Sequence, residues 1–219
     1  MKPIVIVNFK TYLEATGERA LRLARVCAKL SEESGVPIVA APQHMDLYMV
    51  AHTARAFAQH MDPIEPGSHT GWVLPMAVKE AGAVGTLINH SERRLTLADI
   101  GACVSIAKRL GLDSVVCTNN VDITRAAAAL EPTYVAVEPP ELIGSGVAVS
   151  KADPEVVAGS VDAAKKVSPR VGVLCGAGIT TADDFSAALE LGAEGVLLAS
   201  GIVKAPDQEE ALRRLISKL

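Results

Sequence analysis

The sequence predicts a single (β/α)8 barrel, and three observations predict it. Short apolar runs alternate with helical patterns along the whole chain, and eight such units share 219 residues at roughly 27 each, a length typical of βα units. Apolar residues make up 49% of the chain but aromatics only 3%, so aliphatic side chains must fill the interior, which suits parallel strands buried on both faces. Reactive polar residues also gather just after the strand runs, as expected where all strand C-termini share one rim. An open doubly wound sheet is the other arrangement for successive parallel strands; eight units with no leftover edge favour closure. The length fits one domain over residues 1–219, and no linker or low-complexity stretch interrupts it.

Each element follows from local pattern. Ile4–Asn8 is the first strand, and Glu18–Ser34 the helix after it, with Leu21, Ala24 and Ala28 among its apolar stripe and Gly35 as its stop. Pro37–Ala41 is the second strand, closed by Pro42. Ala56–His60 is the third, followed by a Pro- and Gly-rich loop from Pro63 to Gly71 and a short helix around Met76–Ala81, which makes this unit the least regular. Gly85–Asn89 is the fourth strand, and Leu97–Leu110 its helix, with Thr96 and Asp99 spaced as a weak capping box. Ser114–Thr118 and Tyr134–Val137 are the fifth and sixth strands. Asp153 followed by Pro154 marks a capped helix start. Val171–Cys175 is the seventh strand, with Thr180 as the cap of the next helix; Gly195–Ala199 is the eighth, and Pro206–Leu219 the closing helix.

Composition excludes several classes. A net charge of -4 without a basic cluster argues against nucleic acid. The N-terminal apolar run is too short for a signal peptide and leads into Asn8 and Lys10, and no stretch approaches the length of a membrane span, so a cytoplasmic protein with no membrane partner is expected. Cys27, Cys103, Cys117 and Cys175 are scattered and read as reduced, buried thiols. His44, His52, His60 and His69 lack metal-ligand spacing, so no metal is expected. No Gly-x-Gly-x-x-Gly follows the first strand, which argues against a dinucleotide.

The strand ends carry the chemistry. Strand one ends in Asn8-Phe9-Lys10, strand four in Asn89-His90-Ser91-Glu92-Arg93-Arg94, and strand six in Glu138-Pro139-Pro140. Strands seven and eight end in Gly176-Ala177-Gly178 and Ala199-Ser200-Gly201. A cation, an imidazole and a carboxylate thus converge with two turns whose small residues let backbone N–H groups close on a phosphate. Glu138 ends a buried strand and precedes a proline, unlike an ordinary surface carboxylate. His90 sits where the strand turns into Ser91-Glu92, where the amides of a helix start disfavour a charged imidazole.

Asn8-Phe9-Lys10, Ile88 to Arg94 and Val137 to Gly146 closely resemble the three signature segments of the triosephosphate isomerases. The resemblance runs in order along essentially the whole chain. Its short length and the runs Glu138 to Gly144, Cys175 to Ile179 and Leu197 to Gly201 are similar to the archaeal branch. Two turns depart from the bacterial and eukaryotic pattern: Cys175-Gly176-Ala177-Gly178 has no serine, and Ala199-Ser200 replaces a Gly-Gly pair.

The resemblance implies a TIM barrel that interconverts dihydroxyacetone phosphate and D-glyceraldehyde 3-phosphate through an enediolate, in glycolysis and gluconeogenesis, with no cofactor. The roles it implies are inherited from the family: Glu138 as the base, and His90 as the neutral electrophile. Lys10 supplies positive charge, with Asn8 beside it, and Glu92 pairs with Lys10. Phe9, Ile143, Gly144, Gly178, Ala199 and Ser200 complete the substrate contacts, with phosphate held at Gly178 by backbone only. Pro139 to Gly146 is expected to be a lid, stiffened by prolines and hinged at glycines. A homotetramer or dimer is likewise implied. Two other readings are a phosphate-binding barrel isomerase for a larger substrate, and a barrel that binds phosphorylated metabolites without turnover.

Overall fold

The computed structural model describes residues 3–139, 142 and 148–219. Eight parallel strands run in chain order: β1 (Ile4–Asn8), β2 (Ile38–Ala41), β3 (Phe57–Ala58), β4 (Gly85–Ile88), β5 (Asp113–Thr118), β6 (Tyr134–Val137), β7 (Gly172–Gly176) and β8 (Gly195–Leu198). Their order in the sheet is β2-β1-β8-β7-β6-β5-β4-β3. A parallel bridge between Ala40 and Ala56, with the Ala40 N–H donating to Arg55 O at 2.9 Å, joins the two ends. The sheet therefore closes, and the open-sheet alternative falls away. This is a (β/α)8 TIM barrel.

Strand alternation divides the core in two. Ile4 and Ile6 point inward with Val39, Phe57, Leu87, Val115, Leu174 and Leu197, while Val5 and Val7 face the helices. Parallel strands buried on both faces explain why these segments read as unbroken apolar runs. The barrel interior accepts one phenylalanine because a glycine lies opposite. A Cβ on Gly85 would sit 2.5 Å from the Phe57 ring, so size is matched across the β3–β4 pair.

The helices are α1 (Glu18–Ser34), α2 (Leu47–Ala51), α3 (Pro75–Glu80), α4 (Leu97–Leu110), α5 (Val121–Ala128), α6 (Val149–Ala152), α7 (Pro154–Val167), α8 (Ala182–Glu190), α9 (Ser200–Val203) and α10 (Gln208–Leu215). Gly35 ends α1 at φ 66°, a left-handed conformation. The Thr96 and Asp153 side chains accept the Asp99 and Val156 amides, as their spacing predicts.

Several boundaries differ from expectation. The cap of α8 is Thr181, not Thr180: Thr181 forms a full capping box with Asp184, while Thr180 donates its hydroxyl to the same carboxylate. β3 keeps two of the five residues expected: Ala56 makes only an isolated bridge to Ala40, and the His60 carbonyl meets the His44 ring at 2.7 Å. The closing helix is shorter at both ends, with Asp207 as its cap. α5 has no counterpart in the sequence reading; Asn120 caps it by accepting the Ile123 amide. The four cysteines are free and buried, and Cys27, Cys103 and Cys175 are pushed up to about 12, chiefly by burial. Among the described residues no helix is long and apolar enough to cross a membrane.

Candidate active site

The strand C-termini bring the expected residues to one cavity of about 210 Å³. Asn8, Lys10, His90, Glu92, Glu138, Gly178, Ala199 and Ser200 all line it. Phe9 does not. Its side chain is fully buried in the outer core, because the residue after inward-facing Asn8 alternates toward the helices. The Phe9 N–H is used as well, donating to Ala41 O at 3.0 Å. Ile143, Gly144 and most of the expected lid lie outside the described residues. Pro139 and Leu142 are described, joined by a 3.0 Å bond from the Leu142 N–H to Pro139 O.

Lys10 reaches the cavity from an uncommon backbone, with φ at 48°. For a residue with a Cβ this region costs of order 1–3 kcal/mol, and it persists only where neighbours enforce it. Here Asn8 Oδ1 accepts the Lys10 N–H at 2.9 Å, and the ammonium pairs with Glu92 Oε1 at 2.7 Å. The lysine side chain is 10% exposed and the glutamate 58%, so the pair fixes the cation's direction while its acid stays in solvent. Asn89 (φ 62°) and Ala177 (φ 70°) are also left-handed, so three of the four such non-glycine residues described fall at the ends of β1, β4 and β7. Asn89 suits that conformation. Buried, it donates from Nδ2 to Cys117 O and accepts the Leu95 amide, bracing the segment that carries His90.

No helix begins at Ser91, contrary to the sequence expectation; residues 91–95 form a turn, and α4 starts at Leu97. A single amide does the work expected of a helix terminus. The Glu92 N–H donates to His90 Nδ1 at 3.2 Å, which makes Nδ1 an acceptor and leaves the ring proton on Nε2. Glu92 Oε2 approaches the same nitrogen to 3.5 Å, but two acceptors share no proton, so the amide bond decides the tautomer. His90 Nε2 and Glu138 Oε2 stand 3.7 Å apart, too far for a hydrogen bond. Both atoms are buried without a hydrogen-bond partner among the described residues, a costly state outside a working site.

Glu138 is aimed by its surroundings. Its N–H donates to Thr118 O at 2.8 Å. The Cys117 thiol, raised well above its ordinary range by burial and then by the adjoining Glu138 carboxylate, stays protonated against that carboxylate. Gly176 lies beneath the side chain: a Cβ there would stand 2.3 Å from Glu138 Cγ and 2.9 Å from Oε1. Sequence reasoning placed Gly176 in a small-residue turn and missed this steric role. Tyr12, Ile179, Thr180 and Gly201 are further cavity residues it missed; their positions beside the expected turns were the only signal. Among the described residues no group of three or more His, Cys, Asp or Glu side chains is arranged to hold a metal ion.

A neutral imidazole donor, a carboxylate with one oxygen left without a hydrogen-bond partner among the described residues, a cation and two small-residue turns suit proton transfer beside a carbonyl on a small phosphate ester. The model of the family described as Triosephosphate isomerase matches residues 3–218. The chain belongs to the triosephosphate isomerase family. It is 60% identical over 219 residues to the triosephosphate isomerase of Methanothermobacter thermautotrophicus, an alignment covering 99% of this chain and 96% of the relative. The Methanosarcina barkeri enzyme of that name is 60% identical over 216 residues, covering 98% and 97%. That of Methanocaldococcus jannaschii is 56% identical over 215 residues, covering 97% and 98%. These relatives are archaeal, in keeping with the short chain, and the family is one of isomerases.

Proposed function

We propose that this chain interconverts dihydroxyacetone phosphate and D-glyceraldehyde 3-phosphate, in glycolysis and gluconeogenesis, without a cofactor. The observation that carries the reading is the buried pair of His90 Nε2 and Glu138 Oε2 beside one cavity, neither with a hydrogen-bond partner among the described residues. Glu138 takes the proton from the carbon beside the carbonyl, and that bond's electron pair forms the carbon–carbon double bond of an enediolate. His90 Nε2–H donates to the oxygen that gains charge, and Lys10, steadied by Asn8 and Glu92, stabilises the same charge. The Glu138 carboxylic acid, whose proton exchanges with solvent in part of the turnovers, then protonates the neighbouring carbon. The hydroxyl proton on the first carbon passes by way of His90 Nε2 to the oxygen that had gained charge, so that the first carbon becomes the new carbonyl.

The phosphate lies against the left-handed turn at Ala177 (φ 70°) and Gly178 (φ 71°) and the first amides of α9, which have no intrahelical acceptor. Gly178, Ala199 and Ser200 are the contacts there. Ile143 and Gly144 are further substrate contacts, whose part is to keep water from the enediolate. Phe9 supports this site from the core instead of touching substrate. The chain acts as one catalytic domain in the cytoplasm, and self-associates as a homotetramer or dimer.

The test is conversion of glyceraldehyde 3-phosphate in a coupled assay, with Glu138→Ala beside the wild type. Fast turnover lost in the variant supports the reaction and its base. An inactive wild type that still binds a phosphorylated triose analogue points to the binding-only barrel, and an active Glu138→Ala names the wrong base.

A further inference from the structure

We infer that Gln59 is a positioning residue for Lys10, holding the lysine backbone in the conformation that points its ammonium into the cavity; the inference rests on the isomerase reading above. The Gln59 amide nitrogen donates to Lys10 O at 3.0 Å and to Ala41 O at 2.9 Å. A primary amide has two hydrogens to give, and both are spent here. Lys10 is left-handed at φ 48°, so its peptide does not lie in the β1 ladder. Side chains serve it instead: Asn8 Oδ1 takes the N–H at 2.9 Å, and Gln59 takes the carbonyl. The two carbonyls bridged by Gln59 belong to Lys10, two residues past β1, and Ala41, the last residue of β2, and Ala41 O also accepts the Phe9 N–H at 3.0 Å.

Lys10 borders the substrate cavity on one side and a second cavity of about 300 Å³ on the other, which Gln59 also lines. Between these two cavities the hydrogen bonds at Asn8 and Gln59 hold the Lys10 peptide from both its ends. Gln59 does not line the substrate cavity, so its effect must pass through Lys10. Without its two hydrogens, the Lys10 peptide relaxes toward an ordinary φ and carries the ammonium away from its place.

The test is a double-mutant cycle in the isomerase assay, using wild type, Gln59→Leu, Lys10→Met and the double variant. With Lys10 present, Gln59→Leu is expected to lower kcat/KM by at least about ten-fold, the scale of a misplaced catalytic group. In the Lys10→Met background the same change is expected to matter by less than about two-fold, because residues that act as a unit are not additive. A merely structural role would lower both backgrounds by the same factor, and that result overturns the inference. Gln59→Glu keeps the shape but removes both hydrogens. It is expected to lose activity in the same way and serves where the leucine variant does not fold. Full activity in Gln59→Glu overturns the inference. An active wild type indifferent to Gln59 sinks this inference alone, whereas an inactive wild type sinks the isomerase reading and this with it.

Discussion

Gly176→Ala tests how closely Glu138 is aimed. The new Cβ would stand 2.3 Å from Glu138 Cγ and 2.9 Å from both Cδ and Oε1. Ordinary contact begins near 3.4 Å, so the carboxylate side chain must retreat by about 1 Å. Gly176 is not among the positive-φ glycines, so alanine fits its backbone, and the effect falls on Glu138 alone. Glu138 borders the cavity and has room to move there, so the melting temperature is expected to hold. A displacement of that size from a near-attack geometry costs on the order of a hundred-fold. The assay is coupled isomerase turnover over a range of substrate concentrations, with kcat and KM fitted separately. The fall is expected in kcat, because the phosphate turns are untouched. Wild-type kcat in a folded Gly176→Ala would refute the argument that steric support at β7 aims the base.

Other predictions follow from the same geometry. Lys10→Met is expected to lower kcat/KM by roughly a hundred- to a thousand-fold, as loss of one preorganised charge stabiliser does. Glu92→Gln is expected to cost roughly five-fold or less, because its carboxylate is 58% exposed and such pairs contribute about 1 kcal/mol or less. A thiol-reactive chromogenic disulfide is expected to leave all four cysteines of the native protein unmodified over minutes and to count four after denaturation, since burial suppresses every thiolate. Burial pushes His60 below its ordinary 6.5, while the Val73 amide, His60 and Arg93 outweigh burial and hold Asp62 low. Both folded values lie below the unfolded ones, so stability is present above the ordinary values and is lost on acidification. The melting temperature is expected to fall first below about pH 6.5 and further in the carboxylate range, and His60→Gln is expected to flatten the first fall.

Much of this fold was legible because parallel strands announce themselves. Ile4–Asn8 and Tyr134–Val137 are apolar runs with polar ends, and Glu18–Ser34 and Leu97–Leu110 carry a stripe with a cap or a glycine stop. Val121–Ala128 was not legible: it spans only eight residues, its buried face is made of Thr124, Ala127 and Ala128 instead of large apolar side chains, and only Asn120 marks its start. β3 was overextended because Gln59 and His60 follow an apolar run, and their bonds to Lys10, Ala41 and His44 exist only in three dimensions.

The reactive residues were legible for a different reason: the fold delivers every strand end to one rim, so position along a strand stands in for position in space. Phe9 shows the limit of that shortcut. Adjacent residues at a strand end face opposite sides, and sequence proximity to Asn8 and Lys10 put it in the wrong compartment. Gly176 and Gln59 were invisible for a related reason. They act on Glu138 and on Lys10 across 38 and 49 residues, through a missing Cβ and a shared amide that no local pattern records.

The most direct test of the central claim is isomerisation of glyceraldehyde 3-phosphate by the wild type in deuterium oxide, followed by proton NMR of the product. Proton transfer through Glu138 and an enediolate predicts dihydroxyacetone phosphate of which a fraction carries solvent deuterium on the carbon that receives the proton, from turnovers in which the Glu138 carboxylic acid exchanges before it gives the proton back. No conversion, or conversion whose product contains no deuterium, would contradict it.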